Sequence, residues 1–503
     1  MSRLLQLPRE IRDLVYEHYF RGAGGFVYDF AANKLRRADG HPIELALVLT
    51  CRHVAAEAHG LALRVNTLRF TTFHSDDTQE HASLLHLFNL NIRDRKEILL
   101  NSLAPDFLSW EQAQAMKSLH PHFAPVIDYW RAHGKGWEVV RLFADCECSL
   151  TPSIWHDFVA STLNLVSQHP EFLSKARGHG LDYMPIDSFG TLPARTPEQD
   201  LYDDNRTLSL CEARPMPWQI THMEKLAELR ELTKGPGLYG RNIKYNYSAA
   251  SAALRLLQSM FKAARDNIRK VLLIEDRESI AFPQSHGTGF IDICRNHPQL
   301  KVERFVSLWG NALPMSDADL WIHRSGCQDF LDKGYQTFDG CDANSISKGV
   351  GTWITEARAL PSLGMPHGSF TLVLDGDPLP EQTSQVFKII QRDAAWQTAL
   401  DICYARRILP RPSWFEQRVH SAGFIHEDFP EVVGAISLHS SLIRTNFPVC
   451  APYDVEQLLR EHEGWTPNDW EAGWALHEPR EFLTEAPLPP WHQLRWQHVI
   501  RFR

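Results

Sequence analysis

Three apolar runs of strand length, RKVLLIED (269–276), LKVERFVSLWGN (300–311) and SFTLVLDGDP (369–378), constrain the fold of this chain more than any other feature. Between the first two lies TGFIDICRNH, a helical segment stopped by Pro298, whose ring disfavours helical geometry in the residue before it. Strand, helix and strand within about 45 residues is the spacing of a parallel crossover, because parallel strands need a connection long enough to return the chain to its starting edge. After the third run, SQVFKIIQRDAAWQTALDICYARR reads as a long helix. The expectation is an α+β protein, helix-rich, with a small α/β layer in its second half. No fixed-period repeat occurs, so a leucine-rich solenoid is not expected.

Residues 1–75 predict a helix–hairpin–helix–strand unit. RLLQLPREIRDLVYEHYF (3–20) reads as one helix: Pro8 suits a first helical position, where no N–H is needed, and Glu10 complements the helix dipole. Leu7, Ile11, Leu14, Val15 and Tyr19 fall on one stripe, so the helix should bury one face. FVYDFAANKLRRADG (26–40) predicts two short strands around Ala31, Ala32 and Asn33. IELALVLTCRHVAAEAHGLAL (43–63) predicts a helix with Gly60 near its end, and NTLRFTTF (66–73) alternates as a strand does. Beyond these come a helical region at 76–184, a loop or linker at 185–217, an α/β central region at 218–415 and a Trp-rich C-terminal region at 416–503. Bulky tryptophans of that kind anchor a tail onto a body.

With 503 residues, 44% of them apolar and 22% charged, the chain has the composition of a folded protein with more than one core. A net charge of −9 repels nucleic-acid phosphates and anionic membrane surfaces, and the basic groups at Lys34, Arg36 and Arg37 and at Arg501 and Arg503 are too short to reverse that. Neither nucleic acid nor membrane is therefore an expected partner. Nine scattered cysteines and the lack of a signal-peptide pattern point to a reducing intracellular compartment, cytoplasm or nucleus.

Two acidic clusters are the candidates for chemistry. Glu275, Asp276 and Glu278 follow the first apolar run, and Asp375 and Asp377 follow the third. Paired carboxylates can hold a divalent cation or act as acid and base, while Asp, Gly and Pro are also what a tight strand exit requires. If the strands are neighbours, both clusters lie at carboxyl ends, where α/β folds bind ligands. A cation-dependent enzyme is the alternative this supports. No nucleophile-elbow, dinucleotide or phosphate-loop pattern occurs, and His120 with His122 and Cys146 with Cys148 lack zinc-site spacing. No metal site, cofactor or catalytic residue is expected from motifs.

LLQLPREIRDLVYEHYF, followed by LALVLTCRHVAAEAHGLALRVNTLRF, resembles the N-terminal segment of fungal F-box-like proteins. There a Leu-Pro-x-Glu-Ile-Arg helix precedes a Thr-Cys-Arg helix and an Asn-Thr-x-x-Phe strand. The matching residues are Leu7, Pro8, Glu10, Ile11, Arg12, Thr50, Cys51, Arg52, Glu57, Asn66, Thr67 and Phe70. The block at 245–311 is similar to the central part of an uncharacterised fungal family with the same N-terminus. The resemblance implies a non-enzymatic interaction protein, a substrate-recruiting subunit of a cullin-type ubiquitin ligase, whose Leu7, Pro8, Ile11, Arg12 and Leu14 would meet a Skp-type adaptor. About twenty residues, hairpin included, separate the two helices, where an F-box continues almost directly. A hairpin in that position is expected to lie over the first helix and bury Ile11, Leu14 and Val15, leaving Leu7 and Pro8 the more exposed pair. A docking handle would instead keep the stripe open.

Overall fold

β1 (Phe26–Asp29) and β2 (Lys34–Arg37) pair antiparallel across a turn in which Asn33 takes a left-handed backbone, φ +50°, and accepts the Tyr28 hydroxyl proton. In this computed structural model, which describes residues 3–134, 151–178, 204–222, 224, 226, 244–314, 341–419, 423–438, 442–476, 481–495 and 497, the hairpin is one end of a larger sheet. β1 lies parallel to β3 (Thr67–Thr71), and β4 (Lys270–Glu275) and β5 (Lys301–Ser307) follow in parallel. β6 (Cys341–Asp342) leaves to pair with β9 (Glu481–Phe482), while β7 (Phe370–Asp375) and β8 (Ile443–Thr445) complete the main sheet. The strand order β2-β1-β3-β4-β5-β7-β8 follows the chain from β1 onward without a reversal. The fold is thus helix-rich α+β, 57% helical, as expected. Thr67 pairs with Lys270, about two hundred residues away, so the sheet joins stretches that read as separate units in sequence.

Local breaks follow the special residues. Leu7 and Pro8 divide the predicted opening helix into a 3-10 turn, Arg3–Gln6, and α1 (Arg9–Phe20). The segment 43–63 is likewise a 3-10 turn, Ala46–Leu49, then α2 (Arg52–Glu57) and α3 (Leu61–Arg64). Gly60 separates the last two at φ +68°, and a Cβ there would come within 2.2 Å of Asn267. Only glycine meets both conditions. α4 (Asp76–Phe107) opens on a Ser75–Thr78 capping box and packs on the helix Pro152–Val166. Within the expected linker, Asp204–Glu212 is a helix against Pro152–Val166, and 185–203 lies outside the described residues. Most of the expected helix MEKLAELREL lies outside them too.

One face of the sheet, through Leu68, Phe70, Val271, Leu273, Val302 and Leu372, joins the packed helices in a single large core. Trp470, Trp474 and Trp491 tie the C-terminal region to it, Trp491 meeting Trp309 edge to face. Trp496 lies outside the described residues. A second, small core holds only the N-terminal helices: Tyr16, Phe20, Val54, Ala58 and Leu61.

Candidate docking face on the first helix

α1 turns Arg12, Tyr16 and Phe20 inward. Arg12 forms a two-pronged ion pair with Glu57 of α2, its Nε donating to Oε2 at 2.9 Å, and the Tyr16 hydroxyl donates to the same oxygen at 2.8 Å. Arg9 and His53 approach the other oxygen at 3.2 and 3.0 Å. The Arg12 guanidinium, followed by Tyr16, holds the Glu57 carboxyl at about 2, well below its usual range. Asn66 closes the unit by donating to the Phe20 and Ala62 carbonyls and accepting the Gly22 N–H. Arg12, Glu57 and Asn66 all belong to the recognisable N-terminal pattern, and their contacts are internal.

The apolar stripe consequently points outward. Ile11 is 44% exposed, Leu14 63% and Val15 41%, while Tyr16 is 0% and Phe20 5% exposed. The expected burial of Ile11, Leu14 and Val15 is therefore corrected. The reason is the hairpin, whose backbone hydrogen bonds go to β3 at the sheet margin and leave it unable to lie across α1. Leu7 and Pro8 are exposed as expected, but Leu7, at 38%, is no more so than Ile11, Leu14 or Val15. Arg12, expected among the contact residues, is instead tied up in the Glu57 pair. Ile11, Leu14, Val15, His18 and Tyr19 line a shallow groove. Leu47 and Val48 of the turn Ala46–Leu49 pack against the small core of Tyr16 and Phe20, while Leu45 and Leu49 of the same stretch are exposed. Those two leucines have no helical spacing to α1, and no sequence signal joins them to it.

The acidic clusters are not brought together. β5 lies between β4 and β7, so Glu275 and Asp375 sit two strands apart, and a strand order without reversal has no switch-point crevice. Glu275 is fully buried and fully engaged: Arg304 donates to it at 2.8 and 3.0 Å, and the first N–H groups of the helix Ala249–Ser259 donate at 2.9 and 3.2 Å. Asp276 accepts the Thr72 hydroxyl, and Asp375 accepts Asn446 at 2.6 Å and the Asp377 N–H at 3.1 Å, a turn geometry. Among the described residues no three His, Cys, Asp or Glu side chains converge as a metal site. His120 is buried and His122 meets Glu427, while Cys146 and Cys148 lie outside the described residues. No described helix is long and apolar enough to cross a membrane. No family model, curated protein or solved structure matches this chain.

Proposed function

We propose that this chain is an intracellular interaction protein whose first helix docks a Skp-type adaptor, making the remainder a substrate-recruiting subunit of a cullin-type ubiquitin ligase. The observation that carries the reading is the uncovered apolar stripe on α1. Arg12 and Tyr16 face inward to Glu57, and Ile11, Leu14, Val15 and Tyr19 face solvent. A lone exposed leucine needs no explanation, but a contiguous apolar face on a helix locked in place by buried polar contacts is a surface that a partner stabilises. An amphipathic helix laid into an apolar groove is a recurrent mode of protein recognition. The pre-set position of α1 lowers the ordering cost of such binding.

The test is a pull-down and a calorimetric titration with a purified Skp-type adaptor, comparing wild type with Ile11→Asp plus Leu14→Asp. Both side chains are exposed, so the variant should melt like the wild type while losing the adaptor at least tenfold. Wild-type protein that binds no adaptor, or a variant that binds it equally well, would remove the ligase reading.

A further inference from the structure

A cluster of cations lies where β3 and β4 begin. Arg64 stands shortly before β3 and Arg269 directly before β4, and register sets Thr67 beside Lys270. Asn267 lies between them: the Arg64 Nη2 donates to its Oδ1 at 2.8 Å, and the Arg269 Nη1 donates to the flanking carbonyls of Asp266 and Ile268 at 2.7 and 3.1 Å. The other N–H groups of these two guanidiniums make no hydrogen bond among the described residues. Arg265, a little earlier in the same stretch, keeps a buried Nε that likewise has no partner there.

The neighbouring carboxylates do not balance this cluster. Asp266 bears on Arg265 and Arg269, but Lys262 and His297 already hold its two oxygens at 2.7 and 2.9 Å. Glu303 pairs with Lys270 at 2.8 Å, and Asp292 with Arg295 at 3.4 Å. Arg64, Arg265 and Arg269 thus have no ion-pair partner among the described residues, in a chain of net charge −9. Burial and then the charge of Arg64 pull Arg269 below its ordinary value, as two guanidiniums held together without an acid require. The spot is open to solvent: Arg64 is exposed, the Lys262 side chain is 73% exposed, and Phe261, whose carbonyl accepts the Arg265 N–H, is 88% exposed.

We propose that Arg64, Arg265 and Arg269 bind a phosphomonoester carried on a polypeptide, a phosphoserine or phosphothreonine whose apolar neighbour rests on Phe261. A guanidinium presents paired N–H groups to phosphate oxygens, and a phosphoryl group of charge about −2 answers two arginines where a carboxylate answers one. Clustered arginines are a recurrent reader of phosphorylated segments. A nucleic-acid strand would carry its further phosphates across a molecule that is acidic overall, whereas a single phosphoryl group meets only this spot. The site uses no residue of α1 and its test needs no adaptor, so this inference and the ligase reading stand or fall separately.

The experiment titrates the full chain with two fluorescein-labelled pools of short peptides, degenerate except for a central phosphoserine in one and a central serine in the other, and reads anisotropy. Wild type should bind the phosphorylated pool about tenfold more tightly or better, by a margin that shrinks as salt rises. Arg64→Gln, at an exposed position, should remove most of that preference without altering the melting curve. Phe261→Ala, at a position too exposed to support the fold, should weaken binding of the phosphorylated pool. Equal binding of the two pools, no binding of the phosphorylated one, or a preference that survives Arg64→Gln overturns the proposal. Labelled oligothymidylate, or vesicles containing a phosphoinositide, bound more tightly than the phosphorylated pool and released by Arg64→Gln would overturn it in favour of a nucleic acid or a membrane.

Discussion

Replacing Glu275 by leucine tests the physical account of how the sheet and the helix Ala249–Ser259 are joined. The carboxylate is 0% exposed and receives four donors, two from Arg304 and two from the Ala249 and Ala250 N–H groups. Arg304 also donates to the Pro283 and Gln284 carbonyls and lies 4.8 Å from the Trp353 ring, so it cannot swing out to water without breaking those contacts. Breaking a buried ion pair by removing one partner costs about 3–5 kcal/mol. Each orphaned helix N–H adds about 1 kcal/mol or more, partly the same loss counted again. Glu275→Leu should therefore cost about 5 kcal/mol. Glu275→Gln, which keeps acceptor oxygen and loses charge, should cost about half of that. Adding Arg304→Met to Glu275→Leu should restore about half of the loss, because the lone buried cation is then gone. Urea denaturation followed by tryptophan fluorescence measures all four proteins. A Glu275→Leu cost under about 1 kcal/mol, or a double variant no more stable than Glu275→Leu alone, would refute the reasoning.

Two further outcomes follow from buried groups elsewhere. Burial raises Glu97 and Glu356 to about 7, while each accepts one hydrogen bond at 2.7 Å, from the Trp155 indole and the Ser153 N–H respectively. The fold keeps both protonated where an unfolded chain has released the proton, so their contribution is complete below about pH 4.5 and is lost as pH rises through about 7, by at most about 3 kcal/mol per group. Glu97→Gln with Glu356→Gln should flatten the decline of stability between about pH 5 and pH 8, and an unchanged slope in the double variant would contradict this. Gly60→Ala should cost about 2 kcal/mol and lower the melting temperature, since a Cβ at φ +68° would also meet Asn267 at 2.2 Å.

Much of the local structure was legible because dihedral preference and apolar period are properties of short segments. The alternation of β3, the apolar runs of β4, β5 and β7, the hairpin around Asn33 and the helix Pro380–Ala405 all follow from residues within a few positions of one another. The breaks were less legible. Gly60 was recognisable as an end but not as a hinge between two short helices, because the demand for glycine comes from Asn267, far along the chain.

The sequence by itself determined the element types, the helix-rich α+β class and the presence of an apolar stripe on the opening helix. Only the tertiary structure decided which way that stripe faces. A periodic pattern states that one side of a helix seeks cover without stating what covers it. The choice was made by Glu57, whose carboxylate draws Arg12 and Tyr16 inward, and by β3, whose backbone takes the hairpin away from the helix. The acidic clusters show the same division. Their places at strand ends could be read from the chain, but the strand inserted between them and the burial of Glu275 beneath Arg304 depend on partners that meet only when the sheet assembles.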